Sequence, residues 1–216
     1  MTQHIRRVGI YGGTFAPIHN GHVLAARAFM EQMRLDWLYV IPSFLPPHKS
    51  AEPGDVPQMR MKMCELAFSG TDGVVVSDIE IARGGKSYTY DTLTELSSPD
   101  TRLFLLCGTD MVLTFDTWYR FEDILKLCYP VYIRRENDPE TERRVIEKIG
   151  EYYRKYGVMF RKIIAEPFEI SSTEIRERVK CGKDISGLVP PAVEEYIARH
   201  GLYREDKNDR RAVPQP

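Results

Sequence analysis

The sequence predicts an α/β fold, a Rossmann-like doubly wound parallel sheet with helices on both faces and a helical segment at the C-terminus. Two observations predict it. Short apolar runs alternate along the chain with segments of helical spacing. These apolar runs are also continuous, which is typical of parallel strands that are buried on both faces. The length of 216 residues fits one domain of this class and can bury a substantial core.

The predicted strands are short apolar segments, at 6–11, 37–41, 73–76, 102–107, 130–133 and 159–164. The predicted helices carry apolar residues at helical spacing, at 21–33, 58–68, 90–96, Phe121–Leu127, Pro139–Tyr156, Ser172–Lys180 and Pro191–His200. We expect a Gly-Gly turn after the first strand and a Pro-rich loop over 42–57 after the second. Because open parallel sheets bind ligands beyond the carboxyl ends of their strands, the segments that follow the strands form the candidate site.

Charge and composition argue against several classes of partner. A formal net charge of -1 gives the chain no overall field that would attract nucleic acid or an acidic membrane. No stretch approaches the ~20 apolar residues of a membrane span. The four cysteines, Cys64, Cys107, Cys128 and Cys181, have neither a CxxC motif nor metal-ligand spacing. We therefore expect reduced thiols, a cytoplasmic location, and no nucleic-acid or membrane partner.

The segment 12–22, GGTFAPIHNGH, follows the first predicted strand. Gly12 and Gly13 allow a ligand to approach the backbone without a Cβ in the way. The helix that begins next presents unpaired N–H groups and a positive dipole end, which suit phosphate. His19 and His22 project to the same side of its first turn, where two imidazoles can donate hydrogen bonds to phosphate oxygens. A turn with incidental polar residues would explain Gly-Gly alone, but not Gly-Gly together with HxGH.

The segment 170–176, ISSTEIR, follows the last predicted strand and opens a helix. Ser171 or Ser172 can serve as the N-cap, and Ser171 with Glu174 forms a capping-box pattern, which would explain the serines on structural grounds alone. Capping does not explain Arg176, whose guanidinium lies one turn into the helix and can reach an anion at the helix N-terminus. The sequence therefore predicts a second phosphate site near the C-terminus.

The two segments resemble the signatures of the HxGH nucleotidyltransferase superfamily, which are usually seen as GGTFDPIHxGH and ISSTxIR. The resemblance implies that His19 and His22 contact the triphosphate and that the backbone of Thr14 and Phe15 lines the phosphates. It also implies a set of residues that holds the β- and γ-phosphates: Ser171, Ser172, Thr173 and Arg176. The chain departs from the first signature at Ala16, where the superfamily usually has Asp. Because both histidines remain, we expect an active enzyme.

Further candidate residues lie in the loops and helix starts between the two signatures. Lys49, in the Pro-rich loop, can reach the phosphates as a mobile cation or lie solvated at the surface. Asp110 can bind a ribose hydroxyl. Trp118 and Tyr119 can offer a stacking face to an aromatic ring or pack in the core, and the hydroxyls of the SYT segment at 87–89 can cap the next helix. The residues alone leave these alternatives open.

These segments look like those of bacterial nicotinate mononucleotide adenylyltransferases, which have PPHK, SYT, GxD followed by WY, and a closing LVPPAVEEYIARHGLY. The resemblance extends over nearly the whole chain, to Tyr203. It implies that the pyridine ring stacks near the tryptophan, and that backbone amides of the SYT and WY segments receive the nicotinate carboxylate. By position, the substrate-binding residues are then Tyr88, Thr89, Trp118 and Tyr119, and Gly108 and Asp110 join the nucleotide site.

The implied reaction is attack by the phosphate of nicotinate mononucleotide on the α-phosphorus of ATP, with release of pyrophosphate. The attacking phosphate is already anionic and needs no general base. Catalysis is then positioning together with charge stabilisation by His19, His22, Lys49 and Arg176. Mg²⁺ is the expected cofactor, held on substrate phosphates rather than in a protein cage.

Two other functions stay open at this point. A different phosphate acceptor, such as phosphopantetheine, would make the chain a related nucleotidyltransferase, although the WY and PPHK segments argue against it. A non-catalytic nucleotide-binding module would follow if Ala16 abolishes activity. A nucleic-acid role like that of the related tRNA synthetases is disfavoured, because the chain lacks a KMSKS-like loop and a basic face.

The sequence also predicts how the chain is organised beyond the motifs. We expect one nucleotidyltransferase domain over 1–203 and a disordered, charged tail over 204–216. The charge-rich helix Pro139–Tyr156 is explained equally well by solvation and by self-association as a homo-oligomer.

Overall fold

The computed structural model describes residues 5–47, 56–134, 138–165 and 170–204. Its strands are β1 Arg6–Gly13, β2 Trp37–Pro42, β3 Val74–Val76, β4 Thr101–Gly108, β5 Cys128–Ile133 and β6 Arg161–Ile163. Its helices are α1 Asn20–Gln32, α2 Pro57–Ala67, α3 Ile79–Arg83, α4 Thr89–Leu96, α5 Thr109–Leu113, α6 Phe121–Leu127, α7 Pro139–Tyr156, α8 Ser172–Lys180 and α9 Pro191–His200. A 3-10 turn over Phe115–Thr117 lies between α5 and α6.

The predicted strands and helices are all present, with ends that differ by at most a few residues. The sequence does not predict α3, α5 or the 3-10 turn. Each of these has five residues or fewer, which is too short for helical periodicity to stand out beside the adjoining strand. The predicted Gly-Gly turn is wrong, since Gly12 and Gly13 continue β1 to its end.

Every pair of neighbouring strands in the sheet is parallel, and the order across it is β3-β2-β1-β4-β5-β6. The predicted doubly wound parallel sheet is therefore confirmed. From β1 the chain winds outward in one direction through β2 and β3, and then in the other through β4 to β6. The switch in strand order falls between β1 and β4, whose carboxyl ends are Gly13 and Gly108. Doubly wound sheets bind their ligands at such a switch.

Residues along β1 alternate between two apolar cores, one on each face of the sheet. Val8 and Ile10 belong to the core that also contains Ile149 of α7. Tyr11 belongs to the opposite core, together with Phe29 of α1 and buried residues of α2, α8 and α9. In that core the C-terminal helix α9 packs on α2. Helices thus cover both faces of the sheet, as predicted, and the C-terminal helical segment completes one of them.

The charge-rich helix α7 is amphipathic. Its inner face buries Val145, Ile149 and Tyr152 against the sheet. Its outer face carries ion pairs such as Arg143 with Glu147, at 2.7 Å between Nη1 and Oε1. Solvated charge, one of the two predicted explanations, therefore describes this outer face. Self-association of the chain stays a prediction.

The four cysteines differ in their exposure. Cys64, Cys107 and Cys128 are buried free thiols, whereas Cys181 is exposed. Burial raises the pKa of the Cys128 thiol to about 12 and raises the pKa of Cys64 as well. Both thiols therefore remain protonated and unreactive at neutral pH.

Two expectations concern the rest of the chain. Among the described residues, no helix is both long enough and apolar enough to cross a membrane. Residues 205–216 lie outside the described ranges, so the predicted disorder of the tail stays a prediction.

Candidate active site

The carboxyl end of β1 leaves space for a ligand on one side and is tightly packed on the other. A Cβ added at Gly12 would meet no protein atom within 4 Å, so a ligand can come close to the backbone there. A Cβ added at Gly13 would lie 2.9 Å from the ring of Phe15. Gly13 is thus required by the packing of the following turn, and neither glycine has a positive φ.

The residue that turns the chain after β1 is Phe15, in a left-handed conformation with φ 51°. This backbone costs a non-glycine residue about 1–3 kcal/mol, which the surroundings must offset. The Phe15 ring is buried and lies edge-on to Tyr11 and His22, with centroid distances of 5.3 and 5.1 Å. Arg60 and Arg176 hold the carbonyl groups of Thr14 and Ala16, the residues before and after it. The turn is therefore fixed by its ring and by both flanking carbonyls.

The two histidines of the first signature stack on each other at the start of α1. His19 is the N-cap residue and His22 lies in the first turn, and their ring centroids are 3.6 Å apart. Both are buried, with 6% and 8% of their surface exposed. The His19 N–H donates to Nδ1 of His22 at 3.2 Å, so a neutral His22 ring carries its proton on Nε2. The predicted same-side geometry is present. The hydrogen bond to Nδ1 leaves Nε2 as the donor nitrogen of the neutral His22 ring.

Asn20, between the two histidines, ties the start of α1 to the C-terminal part of the chain. Its backbone N–H donates to the carbonyl of Leu188 at 2.9 Å, and its side-chain Nδ2 donates to the carbonyl of Gly187 at 2.8 Å. Asn20 was not among the predicted site residues. Its signal is weak, because an amide at a helix start has many local partners. The contact explains how the closing segment helps to hold the histidines.

The second signature docks directly onto the first. Ser171 is the N-cap of α8 and accepts a hydrogen bond from the Glu174 N–H at 3.1 Å, as predicted. Ser172 Oγ donates to the carbonyl of Pro17 at 2.9 Å. The start of α8 therefore lies against the turn that leads into α1, so two helix N-termini with their positive dipole ends meet at one place.

Arg176 completes this docking. Its Nη1 donates to the carbonyl of Ala16 at 2.8 Å, and its Nη2 lies 3.4 Å from Oγ1 of Thr173, which is exposed at the first turn of α8. The predicted swing toward the helix N-terminus is thus present. The guanidinium also takes part in holding the left-handed turn at Phe15, a role that the motif did not suggest.

Arg60, on α2, is the main residue of the site that sequence reasoning missed. It is only 1% exposed. Its Nη1 donates to the carbonyls of Thr14 at 2.9 Å and Ser43 at 2.6 Å, and its Nη2 donates to the carbonyl of Phe44 at 3.2 Å. An arginine within a helical pattern is normally taken for a solvated one. Lys49, the cation predicted in the adjoining loop, lies outside the described residues.

The SYT segment is fixed to the loop that follows β2. Ser87 Oγ accepts a hydrogen bond from the Phe44 N–H at 2.9 Å, and the Ser87 N–H donates to the carbonyl of Leu45 at 2.9 Å. The alternative that these hydroxyls cap α4 is wrong, because Tyr88 is the N-cap and makes no side-chain cap bond. Thr89 is the first residue of α4 and is half-buried.

A buried carboxyl group lies beneath this segment. Glu80 accepts a hydrogen bond from Oγ1 of Thr92 at 2.8 Å and is only 7% exposed. Burial raises the pKa of the Glu80 carboxyl, and hydrogen bonds from Thr92 and Ser87 partly oppose the rise. Glu80 therefore links α3 to Ser87 of the SYT segment and to Thr92 in α4, and sequence reasoning did not single it out.

The aromatic residues predicted for substrate binding separate into two groups. Tyr88 and Tyr119 lie together, with ring centroids 4.6 Å apart, and Tyr119 is 52% exposed. Trp118 is half-buried and packs on Phe115 with a centroid distance of 4.8 Å. Core packing, the alternative given above, therefore accounts for part of the Trp118 surface. The tyrosines offer an exposed aromatic surface between two segments that are about 30 residues apart in the chain.

The carboxyl end of β4 lies next to that of β1 at the switch. Gly108 is the N-cap of α5, and Asp110 is exposed in the first turn of this short helix. Because β4 pairs with β1, the GxD segment and the first signature lie at the same edge of the sheet. The fold therefore brings all the described predicted segments to the carboxyl edge, from HxGH through SYT, GxD and WY to ISSTEIR.

Comparison with known proteins agrees with this geometry. A cytidylyltransferase-like family model matches residues 10–178, which include both signatures. A curated relative from Gemmatimonas aurantiaca, named "Probable nicotinate-nucleotide adenylyltransferase", is 37% identical over 201 residues, covering 92% of this chain and 93% of the relative. One of the same name from Thermoanaerobacter sp. is 37% identical over 207 residues, covering 94% of this chain and 97% of the relative.

The chain belongs to the nicotinate-nucleotide adenylyltransferase family.

Solved structures share the fold of this family member. Nicotinic acid mononucleotide adenylyltransferase of Plasmodium falciparum, complexed with NaAD, superposes with a TM-score of 0.71 at 20% identity, covering 92% of this chain and 97% of that chain. The same enzyme complexed with APC gives a TM-score of 0.69 at 19% identity, with the same coverage. At these identities the likeness concerns the fold alone.

Proposed function

We propose that this chain transfers the adenylyl group of ATP to nicotinate mononucleotide, giving nicotinate adenine dinucleotide and pyrophosphate. The observation that carries the proposal is the docking of α8 onto the turn before α1, through the Arg176 contact with Ala16 and the Ser172 contact with Pro17. The two signature segments, from opposite ends of the chain, are in contact there and would form one phosphate site. Family membership supplies the substrate pair, since the relatives carry the name nicotinate-nucleotide adenylyltransferase.

The proposed reaction is a single in-line displacement. A phosphate oxygen of the mononucleotide forms a bond to the α-phosphorus of ATP. The bond from that phosphorus to the oxygen bridging to the β-phosphate breaks, and pyrophosphate leaves with the electron pair. The attacking oxygen is already anionic, so no side chain has to remove a proton, and the protein acts by positioning and by stabilising charge.

The first signature and α8 would hold the triphosphate. His22 would donate from Nε2, and His19 stacks beside it at the same helix start. The backbone at Gly12 leaves room for a phosphate, and the positive ends of α1 and α8 favour one. We propose the second-signature residues as partners of the β- and γ-phosphates: Ser171, Ser172, Thr173 and Arg176.

The other substrate groups would lie toward β4 and the aromatic pair. We propose that Tyr88, Thr89, Trp118 and Tyr119 bind the nicotinate ring and its carboxylate, since the exposed Tyr119 ring lies close to the half-buried Tyr88 ring. Gly108 and Asp110 would bind the adenosine ribose at the sheet switch. Lys49 remains the predicted mobile cation of the loop outside the described residues.

Mg²⁺ fits this donor set as an ion that enters with ATP. Among the described residues, no group of three or more His, Cys, Asp or Glu side chains is placed to hold a metal. Mg²⁺ commonly keeps several waters and takes its other ligands from substrate phosphates. We therefore propose that the substrate phosphates hold the ion, where it would neutralise part of their charge.

The test is pyrophosphate release by the purified chain with Mg-ATP and a panel of acceptors: nicotinate mononucleotide, nicotinamide mononucleotide and phosphopantetheine. Release with nicotinate mononucleotide above the others supports the proposal. Release with phosphopantetheine instead would assign a related transferase. ATP binding without release for any acceptor would point to a non-catalytic module, and an Ala16→Asp variant that gained activity would identify the cause.

The organisation of the chain follows the same proposal. We propose a single catalytic domain that ends near Tyr203, because α9 lies in the core shared with α1 and α2. The cytoplasmic location and the homo-oligomer stay predictions.

A further inference from the structure

We propose that Arg60 is a positioning residue for the triphosphate. Its buried guanidinium sets the direction of the peptide between Thr14 and Phe15, so that the Phe15 N–H points into the phosphate site. The inference rests on the proposed function for the identity of the ligand, but it concerns a residue that neither signature contains. Arg60 lies on α2, more than forty positions beyond the turn that it holds.

The geometry of the peptide carries the first step. The Thr14 carbonyl accepts from Nη1 of Arg60 at 2.9 Å. The peptide that follows is trans, because the cis bond found in this turn is the one between Ala16 and Pro17. A planar trans peptide holds its C=O and N–H in opposite directions. Anchoring the carbonyl on the α2 side therefore aims the Phe15 N–H away from α2.

The backbone conformation of Phe15 shows why an anchor is needed there. A non-glycine residue at φ 51° adopts this conformation only when its surroundings impose it. Arg60 holds the carbonyl before Phe15, and Arg176 holds the carbonyl of Ala16 after it. Two arginines from distant helices thus fix the peptide before the strained residue and the Ala16–Pro17 peptide that lies one residue beyond it. Arg176 belongs to the second signature, and Arg60 is its counterpart on α2.

The same guanidinium reaches the acceptor side of the site. It also binds the carbonyls of Ser43 and Phe44, and the Phe44 N–H donates to Oγ of Ser87 in the SYT segment. Arg60 thus links the turn proposed to bind ATP phosphates to the segment proposed to bind nicotinate. In an in-line displacement the distance between the two reacting groups decides the rate. A residue that fixes both the ATP turn and the nicotinate segment therefore affects turnover more than it affects the affinity for either substrate.

Core packing alone would also explain a buried arginine. Under that explanation, substitutions would lower stability and would change turnover only as far as they unfold the chain. The planar fork of arginine binds three carbonyls in fixed directions, whereas lysine supplies a similar charge without that geometry. Arg60→Lys therefore keeps the positive charge but loses the fixed directions of the hydrogen bonds. Arg60→Met loses both the charge and the hydrogen bonds but keeps a side chain of similar apolar bulk.

The experiment compares Arg60→Lys and Arg60→Met with the matched exposed-site controls Arg27→Lys and Arg27→Met on α1. Unfolding temperatures are measured first, and kcat and KM are then determined well below the midpoint of each variant. We expect both Arg60 variants to lose about 100-fold in kcat, the scale of a misplacement near 1 Å, with much smaller changes in KM. The Arg27 variants should match the wild type. Wild-type turnover in folded Arg60→Lys would overturn the proposal.

A second measurement uses the wild-type chain and does not need turnover. Tripolyphosphate is titrated while the Phe15 amide is followed by NMR and hydrogen exchange. We expect a large shift and added protection of this amide in the wild type, and loss of both in Arg60→Lys. An unaffected Phe15 amide under saturating tripolyphosphate would refute the role of Arg60 even if the variants fail to fold. If the wild type releases no pyrophosphate but the amide responds, the proposed reaction fails and the positioning role stands.

Discussion

His22 performs two tasks that different substitutions can separate. Its Nδ1 accepts the His19 N–H at 3.2 Å, which caps α1 from within the first turn. The same bond leaves Nε2 as the proton-bearing nitrogen of a neutral ring, the donor we propose for the triphosphate. An Asn side chain can place its carbonyl oxygen near the position of Nδ1, and a Gln side chain can place its amide nitrogen near Nε2. The pair His22→Asn and His22→Gln therefore tests each task separately.

The expected magnitudes follow from these contacts. His22→Asn keeps the cap and loses the phosphate donor, so we expect kcat to fall by about 100- to 1,000-fold, the range for removing one charge-stabilising donor, with little loss of stability. His22→Gln loses the cap bond, which is worth about 0.5–1.5 kcal/mol. For a chain of this length each kcal/mol lowers the unfolding temperature by roughly 2–4 °C. His22→Gln should thus unfold a few degrees earlier and keep more turnover than His22→Asn.

The assay is pyrophosphate release with saturating Mg-ATP and nicotinate mononucleotide, together with thermal unfolding of each variant. His22→Ala serves as the reference that loses both contacts. Turnover of His22→Asn equal to that of the wild type would remove Nε2 from the mechanism. A loss of turnover in all three variants that tracks their unfolding temperatures would instead make His22 a structural residue.

Three more side chains give predictions, although the signatures assign no role to any of them. Asn20→Ala should cost about 1 kcal/mol of unfolding free energy by loss of one side-chain hydrogen bond, measured by denaturant titration against Asn20→Asp. Tyr119→Ala should raise KM for the acceptor about 10-fold while KM for ATP stays constant, since an aromatic contact is worth about 0.5–1.5 kcal/mol; the exposed Tyr129→Ala is its control. The pKa of Glu80 is raised by burial, so its stabilising contribution is present at low pH and is lost as pH rises through the raised pKa. Glu80→Gln should therefore gain stability relative to the wild type as pH rises, and a constant difference between them across acidic pH would contradict the assignment.

The fold was predictable because its signals are local. Each strand is a continuous apolar run, and each long helix repeats apolar residues at its own period, so their order along the chain already implies a parallel sheet. The error at Gly12 and Gly13 has a local cause as well. A Gly-Gly pair after a strand is typical of a turn, but here Phe15 makes the turn and Gly13 only gives room to its ring.

The signature residues were predictable for the same reason, but the residues that hold them in place were not. His19 and His22 lie within one helical turn, so their spacing determines their relation. Arg60, Asn20 and Glu80 act on groups far away in sequence or on backbone carbonyls, which every residue possesses. A carbonyl leaves no mark in a sequence that would identify the side chain bonded to it. Such contacts emerge only from the three-dimensional packing.

Ala16 stands where the superfamily usually has Asp. The described contact of residue 16 with the second signature is made by its backbone carbonyl, which accepts from Nη1 of Arg176 at 2.8 Å. A backbone carbonyl is present whatever the side chain is. The loss of a carboxylate therefore leaves intact this bond between the two signatures, which fixes the peptide between Ala16 and Pro17. This is the physical ground for expecting activity from a chain with alanine at this position.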